Sequence, residues 1–423
     1  MSYNKPNGWK EVKLKEIVQF NPSEKLKKKE TAVKISMDKL DTFRKKINNS
    51  EYSEYRGGVK FRNGDTLMAR ITPSLENGKT SQVDILGKNE IGFGSTEFIV
   101  LREIKKKSLN DYIYYLSISP KIRDTAIKSM TGTSGRQRVQ REVLENSDII
   151  LPPIEEQKAI ADTLSALDDK IELNNKINKN LKEQVQLLFK HWFADFEFPN
   201  EEGQPYKTNG GEMVDSELGM IPKGWKIATI NNYAEVKSGF AFKSKWWKKE
   251  GTKVIKITNI STGKLNLDNC SYVGENHIPL EKRYEAEPSD LLIALTGATL
   301  GKMAIVPKMD EKLLVNQRVG KFIYNKNVKY PLPFLYCLLN TEKVMDEIIG
   351  TGYGSAQPNI SPANLGNINI LLPPIKLINH FNFILKPFFE NYIYSYKQNQ
   401  KLSEIRDTLL PKLMSGEVRM PLD

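Results

Sequence analysis

Two cysteines and three histidines are all that the 423 residues provide. Cys270 and Cys337 stand far apart in the chain, so neither a disulfide framework nor a cysteine-rich metal site is expected. His191, His277 and His380 each lack a second ligand at metal-binding spacing, which excludes the usual histidine-based centres. No run of about 18 apolar residues is available to cross a bilayer. The opening residues MSYNKPNGWK lack the apolar stretch of a secretory signal. The expectation is a cytoplasmic protein without membrane association.

Catalytic signatures are also missing. Residues 297–302 spell GATLGK and run on into Met303, one residue short of a phosphate-binding P-loop and without its Ser or Thr. Lys79 and Thr80 follow Gly78, but Pro73 stands where the first glycine of such a loop belongs. Adenine methyltransferases use an Asn/Asp-Pro-Pro-Tyr/Phe motif, and Asn21-Pro22-Ser23-Glu24 fails it at the third position. Residues 350–354 (GTGYG) lack the preceding buried strand of a cofactor loop. No catalytic or metal-binding residue is assigned, and the chain is not expected to be an enzyme.

What is present is enough to fold. Hydrophobic residues make up 39% of the chain and include 17 Phe, 17 Tyr and 5 Trp, which fills real cores and excludes global disorder. The length calls for more than one structural unit. The net charge of +12 is unevenly spread. Residues 1–150 carry 29 Lys and Arg against 19 Asp and Glu, and residues 221–370 carry 20 against 13, whereas residues 151–220 carry 7 against 14. Two basic blocks attract a polyanion such as DNA through counterion release, although excess lysine also serves solubility alone.

The chain repeats itself at about half its length. Gly8-Trp9-Lys10 answers Gly224-Trp225-Lys226, Gly64-Asp65 answers Ser289-Asp290, Thr131-Gly132 answers Thr351-Gly352, and Leu-Pro-Pro-Ile occurs at both 151–154 and 372–375. Four matches in one order point to duplication. Within each half, short apolar runs such as 97–101, 254–257 and 291–295 predict strands separated by Gly and Asn turns. Helices are predicted over 109–129 and 332–348. After each Pro-Pro the period changes. Ile160, Leu164, Leu167 and Ile171 begin a seam of a and d positions that continues to Leu188 and Trp192, and it recurs 221 residues later from Leu385 to Leu413. Both seams turn polar at the same point, at Asn174 and Asn178 and at Ser395 and Asn399; buried Asn178 and Asn399 would fix register. Two helices of 35 to 40 residues, about 55 Å long at 1.5 Å per residue, would pair along these seams. Pro387 should disturb the start of the second, and Pro411 should limit its last turn.

The expected fold is therefore α+β, with two similar β-rich domains, which the resemblance named below makes target-recognition domains, separated by an antiparallel pair of long coiled-coil helices. The expected boundaries are 1–154 for the first domain, 155–199 for its helix, 200–220 for an exposed linker, 221–375 for the second domain, and 376–423 for the second helix and C-terminal tail.

These features together resemble the specificity subunits of Type I restriction-modification systems. The resemblance spans essentially the whole chain: the Gly-Trp domain starts, the closing Leu-Pro-Pro-Ile-Glu-Glu-Gln-Lys at 151–158, the Ile-Pro-Lys-Gly-Trp restart at 221–225, and the ending LLPKLMSGE at 409–417. It implies a subunit that reads a bipartite site on double-stranded DNA, one half-site per domain, with the helices acting as spacer and docking surface. It implies as partners two methyltransferase (M) subunits and restriction/motor (R) subunits. Cofactors are then expected on the partners, S-adenosylmethionine on the methyltransferase and Mg and ATP on the motor, with none on this chain. One departure stands out. The second copy continues its Leu-Pro-Pro-Ile with Lys376-Leu377-Ile378 and lacks the Glu-Gln-Lys, so the two docking surfaces are expected to differ.

The candidate DNA-binding residues lie in polar, Gly-containing loops beside strands, where side chains reach base edges and backbone amides approach phosphates. In the first half they are Arg70, Thr72, Ser74 and Lys79 on one loop, and Thr133, Ser134, Arg136, Gln137 and Arg138 on another. In the second half they are Lys243, Lys245, Thr296, Lys302, Gln317, Arg318, Ser355, Gln357 and Asn359. Trp246 and Trp247, set among lysines at 243–249, fit either a nucleic-acid surface or a core. The different loop chemistry predicts that the two halves read different bases. Two other readings stay open on the residues alone: a self-contained DNA-modifying enzyme with unrecognised motifs, and a coiled-coil adaptor that binds only protein.

Overall fold

The computed structural model describes residues 6–267, 269–352 and 358–421. The chain forms two compact units, the first from residues up to Asn174 together with those from Asn399 onward, the second from Asn175–Gln398. The division falls inside the two long helices, at the place where both seams turn polar. Each helix therefore contributes to two cores.

The first unit is built on two four-stranded sheets. One is antiparallel throughout, in the order Val18–Phe20, Phe98–Glu103, Thr66–Ala69, Thr80–Gln82. The other runs Glu51–Glu54, Thr31–Ile35, Gly92–Gly94, Val59–Phe61, with a parallel pair in the middle and antiparallel partners outside. The second unit repeats the plan. Its antiparallel sheet has the order Ala234–Ser238, Val319–Tyr324, Leu291–Ala294, Met303–Ile305. Its other sheet has the same parallel centre, Thr252–Ile255 beside Leu313–Val315, and gains one edge strand, Trp247–Lys248. In both units the strand after the domain start pairs with the strand before the Pro-Pro: Lys10–Lys13 with Asp148–Leu151, and Lys226–Thr229 with Asn369–Leu372.

The matched phrases of the sequence have a common local cause. Asp65 accepts the Arg62 amide at 2.8 Å, and Asp290 accepts the Glu287 amide at 2.7 Å, so each closes a turn through its own side chain. The residue before each, Gly64 at φ 91° and Ser289 at φ 72°, takes the left-handed conformation that starts the next strand. Burial pushes both carboxyls up, and each is countered by a cation from the neighbouring strand, Arg102 in the first unit and Lys321 in the second.

Each expected helix late in a half is two helices. Asn110–Ile118 and Pro120–Lys128 meet at Ser119, because Pro120 cannot continue the preceding hydrogen-bond ladder and instead starts a new one. Leu332–Leu339 and Glu342–Gly352 are separated by Asn340, whose amide closes the first of them. The linker over 200–220 is mostly exposed, as expected, but is tied at both ends: Tyr206 stacks on Phe198 with ring centroids 4.5 Å apart, and Met213–Val214 pairs with Ile221–Pro222.

The long helices are Ile154–Phe193 and Ile375–Ser415. Pro387 does not disturb the second helix's start: the helix runs through it. The carbonyl that loses its donor belongs to Phe383, an exposed residue, so water can serve it. Pro411 lies near the end, as the sequence suggests. The two helices run antiparallel in each unit. In the first, Asp168 pairs with Arg406 at 2.7 Å, Asn174 donates to Asn399 at 2.8 Å, and Leu410 and Leu413 enter the core containing Ile160 and Leu164. In the second, Lys182 lies over the Tyr392 ring at 4.6 Å, and Trp192 packs on Phe381 at 5.5 Å.

The departure at Leu377 also finds its reason inside the protein. Glu156 is 0% exposed; it accepts Trp9 Nε1 at 2.9 Å and Arg419 Nε and Nη2 at 2.7 and 2.9 Å. Gln157 is buried too, donating to the Lys107 and Pro152 carbonyls. These two side chains are turned into the unit, where Glu156 knots the C-terminal tail to the domain start, while their neighbours Glu155 and Lys158 are exposed. At the matching place in the second unit the cation is replaced by Phe198, stacked on Trp225 at 5.4 Å, and the carboxylate by Leu377. An ion pair has become an apolar pair.

The Asp168–Arg406 pair shows the same substitution, since Phe389 and Val185 hold the corresponding positions in the second unit. Arg406→Ala leaves Asp168 buried without its cation and should cost about 3–5 kcal/mol. Installing the apolar pair, Asp168→Phe with Arg406→Val, should recover a large part of that loss. Urea unfolding of the two variants checks it; a double variant no more stable than the single would show that the ion pair is not the exchangeable unit.

Candidate nucleic-acid interface

In the first unit the strand Thr66–Ala69 leads into Arg70 and Ile71, both half-buried, and the buried Thr72. Residues 131–138 fold back on themselves beside them: Arg138 donates to the Thr131 carbonyl at 2.8 Å and receives the Thr131 amide at 3.0 Å. Gly132 at φ 131° and Gly135 at φ 77° make this narrow turn possible. The turn is joined to the strand end by Val139 N to Arg70 O at 2.8 Å and Thr72 N to Gln137 O at 3.0 Å. The two candidate loops, distant in sequence, thus form one surface.

Their side chains take different roles. Thr133, Ser134 and Arg136 are exposed. Thr72 is buried, and its hydroxyl accepts the Gln137 amide at 3.0 Å, so it holds the loops together instead of facing a ligand. The Lys79 ammonium is turned inward to the Met37 carbonyl at 2.8 Å. Ser74 is half-buried and accepts the Lys79 amide through its carbonyl. Arg138 and Arg70 both reach Glu97, at 2.7 and 3.9 Å. The Arg138 guanidinium, hydrogen-bonded to it, holds the Glu97 carboxyl below the usual carboxylate range. Glu97 is not legible as a site residue in the sequence, where it only opens an apolar strand.

The second unit builds the same join from Thr296, Arg318 and Asn359. Thr296 bridges Asn359, Ile360 N bonds Leu295 O at 2.9 Å, and Leu295 N bonds Arg318 O at 3.0 Å. The last bond is the counterpart of Arg70 N to Glu97 O in the first unit. Arg318 therefore occupies the place of Glu97, and Asn359 that of Arg138. Gln317 lies alongside, its amide bonded to the Phe240 carbonyl. Ser355 and Gln357 fall outside the described residues.

From Phe240 the surface continues as an aromatic patch with cations above it. Phe240 meets Tyr284 edge-on at 5.2 Å and Trp246 at 6.3 Å; Lys243 lies over Trp246 at 5.4 Å and Arg283 over Tyr284 at 4.6 Å. Lys245 is exposed on the same turn. Trp246 and Trp247 are half-buried against Phe242, Val254 and Leu314, which makes them the floor of the patch. Phe240, Arg283 and Tyr284 are not legible in the sequence, because their loops come together only through the sheet.

Lys302 is separate from this join. It is exposed and lines an open groove of about 610 Å³ together with Lys182, Gly297, Asn340 and Pro358. Among the described residues there is no group of three or more His, Cys, Asp or Glu able to hold a metal ion, and no helix long and apolar enough to cross a membrane.

Comparison with known proteins decides the family. The model of the Type I restriction modification DNA specificity domain matches twice, over residues 6–183 and 222–404. The chain belongs to this family. Its role is DNA sequence specificity, and it is a non-catalytic subunit. Among its relatives, the MjaVIII specificity subunit of Methanocaldococcus jannaschii is 29% identical over 349 residues, covering 82% of this chain and 78% of that one. The HindI specificity subunit of Haemophilus influenzae is 24% identical over 414 residues, covering 84% and 86%. The crystal structure of the S subunit from M. genitalium shares the fold, with a TM-score of 0.53 at 17% identity, over 98% of this chain and 97% of that one.

For this specificity subunit the groove residue Lys182 gives a prediction. Burial pushes its ammonium down to about 8, helped by Lys264. In the unfolded chain the same group titrates near 10.5. Between those values the unfolded state binds more protons, so stability rises with pH across that window, and below it the burial cost is fully present. Lys182→Met should raise the thermal midpoint at pH 7, by about 1 kcal/mol of stability, and should flatten the pH dependence between 8 and 10.5. A midpoint that falls at pH 7 would mean that the cation's interactions with Tyr336 and Tyr392 outweigh its desolvation.

Proposed function

We propose that the protein reads a bipartite site on double-stranded DNA, one half-site through each unit, and directs two methyltransferase subunits and the restriction/motor subunits to it. In this reading residues 1–154 and 221–375 are the target-recognition domains, 155–199 and 376–423 provide the spacer helices, and 200–220 is the linker. S-adenosylmethionine acts on the methyltransferase, and Mg and ATP on the motor.

The observation that carries the proposal is the same join of loops in both units, presenting different side chains at matching places. Arg70, Arg138 and Glu97 stand on one; Asn359 and Arg318 stand on the other, where Leu295, the counterpart of Arg70, is buried. A common scaffold with exchanged polar groups is what two different half-sites require, since phosphate contacts fix position and base-edge contacts fix sequence. Thr133, Ser134, Arg136 and Gln137 belong to the first surface, and Thr296, Gln317, Lys243 and Lys245 to the second; Ser355 and Gln357, outside the described residues, are proposed as DNA contacts on the sequence alone. Thr72, Ser74 and Lys79 support the first surface from behind. Lys302 serves as a phosphate contact at the edge of the second. The basic blocks over 1–150 and 221–370 supply the attraction to phosphates. For protein partners, the long helices leave Leu187, Phe383 and Tyr394 well exposed, at 67%, 64% and 66%. Apolar side chains of this size on a helix surface suit a helical partner.

Duplex binding by the purified chain should weaken steeply with salt. Methylation mapping with the methyltransferase supplied should give two specified segments around an unspecified gap. Arg318→Ala with Asn359→Ala should relax one segment, by roughly 1–3 kcal/mol for each side chain that bonds a base edge, and leave the other as it was. Equal relaxation of both segments would show that the units do not divide the site.

A further inference from the structure

Arg138 is held in an unusual way for an exposed arginine beside a loop tip. Its side chain is 44% exposed, yet its position is fixed twice over. The backbone is pinned by both hydrogen bonds to Thr131 and by the bridge to Ile71. The guanidinium is pinned by Glu97, which accepts Nε at 3.0 Å on each oxygen and Nη2 at 2.7 Å on Oε1. These bonds use the side edge of the guanidinium. The end edge, formed by Nη1 and the second hydrogen of Nη2, has no acceptor among the described residues. That edge is a two-donor fork of the kind that matches O6 and N7 of guanine in the major groove.

A carboxylate on a DNA-facing surface is costly, because it repels phosphates and reduces the counterions released on binding. Glu97 is therefore hard to account for as an affinity device. Its position is explained if it aims the fork. The nearby Arg70, with Nε 3.9 Å from Oε2, offsets part of the repulsion. The second unit lacks the arrangement, having Arg318 and Asn359 at the two corresponding places, so its reading of bases must use other geometry.

We propose that Arg138 reads a guanine in the half-site of the first unit, and that Glu97 is the positioning residue that aligns it. The proposal rests on the bipartite reading given above and names one of its specificity determinants. Glu97 touches the base nowhere in this scheme; it acts through Arg138. Because it is anionic, its removal has an opposite effect on two quantities, specificity and general affinity, and that separates positioning from a merely structural role.

The test is competition binding of the full chain to duplexes in which each position of the half-sites carries each of the four base pairs. The wild type should prefer guanine at one position by roughly tenfold or more. Arg138→Lys keeps the charge but not the fork, and should abolish that preference with the remaining positions unchanged. Glu97→Gln should reduce the same preference by a similar factor, while binding to unrelated duplex becomes tighter and the thermal midpoint stays close to wild type. Should Glu97→Gln fail to fold, Arg138→Lys still decides the arginine's role, and Arg318→Ala, expected to alter only the other half-site, serves as control. Unchanged guanine preference in either variant, or a loss spread over every position, overturns the proposal. A wild type with no base preference on any duplex removes the bipartite reading and this inference together; a selective wild type with equally selective variants removes only this inference.

Discussion

Neither core can be closed by the stretch of sequence that begins it. The first unit starts with residues up to Asn174, but Leu410, Leu413 and Arg406 arrive from the end of the chain to complete it. The second unit takes Val185, Phe189 and Trp192 from the helix that follows the first domain. Burying a helix seam is favourable only when a second seam lies against it, and here each helix finds its partner in the other half of the sequence. The chain must therefore bring very distant residues together before either unit is stable, and it marks the meeting with buried polar contacts that only one register satisfies: Asp168 with Arg406, Asn174 with Asn399, and Glu156 with Arg419.

This constraint is largely legible in the sequence because periodicity reports it directly. The a and d spacing predicts both long helices and the polar switch at their middles, and the duplication, which sends each helix out of the end of an equivalent domain, predicts their antiparallel pairing. Strands such as Phe98–Glu103 and Leu291–Ala294 are visible for the same reason, as short apolar runs between turns. Helix boundaries are less legible. Pro120 is a readable stop, but nothing comparable marks Asn340, where the chain turns by tertiary demand. Pro387 misleads in the other direction, since a proline on the exposed side of a long packed helix is tolerated when the freed carbonyl meets water.

The interface is legible as loops and not as roles. Composition locates Arg70 and residues 131–138, and the repeat locates their counterparts, but no pattern in one dimension says which donors are already used. Lys79 and Thr72 look available in the sequence and are turned inward, one to the Met37 carbonyl and one to the Gln137 amide. Glu97 escapes a search by composition because an acidic residue is not sought on a surface for polyanions. The signal that could find it is the repeat itself: the residue before the Phe98 strand corresponds to Arg318 before the Val319 strand, and a reversal of charge at one equivalent place in a duplicated plan marks a site where the copies differ in purpose.

The same comparison separates two kinds of divergence. On the surface, charge is exchanged for other polar groups, Arg138 for Asn359 and Glu97 for Arg318, which changes what can be read. Inside, ion pairs are exchanged for apolar pairs, Asp168 and Arg406 for Phe389 and Val185, Glu156 and Arg419 for Leu377 and Phe198. A buried ion pair adds little net stability over a well-packed apolar pair, so stability alone does not account for the difference. What differs is the cost of the wrong partner. If the segment from Asn175 onward took the place of the segment from Asn399 onward in the first unit, Asp168 would face Val185, and a buried carboxylate without its cation costs about 3–5 kcal/mol. In the converse exchange Arg406 would be set against Phe389, with a similar penalty. Two seams alike enough to be copies are thereby kept from substituting for one another, and each surface that reads bases stays attached to the core that positions it.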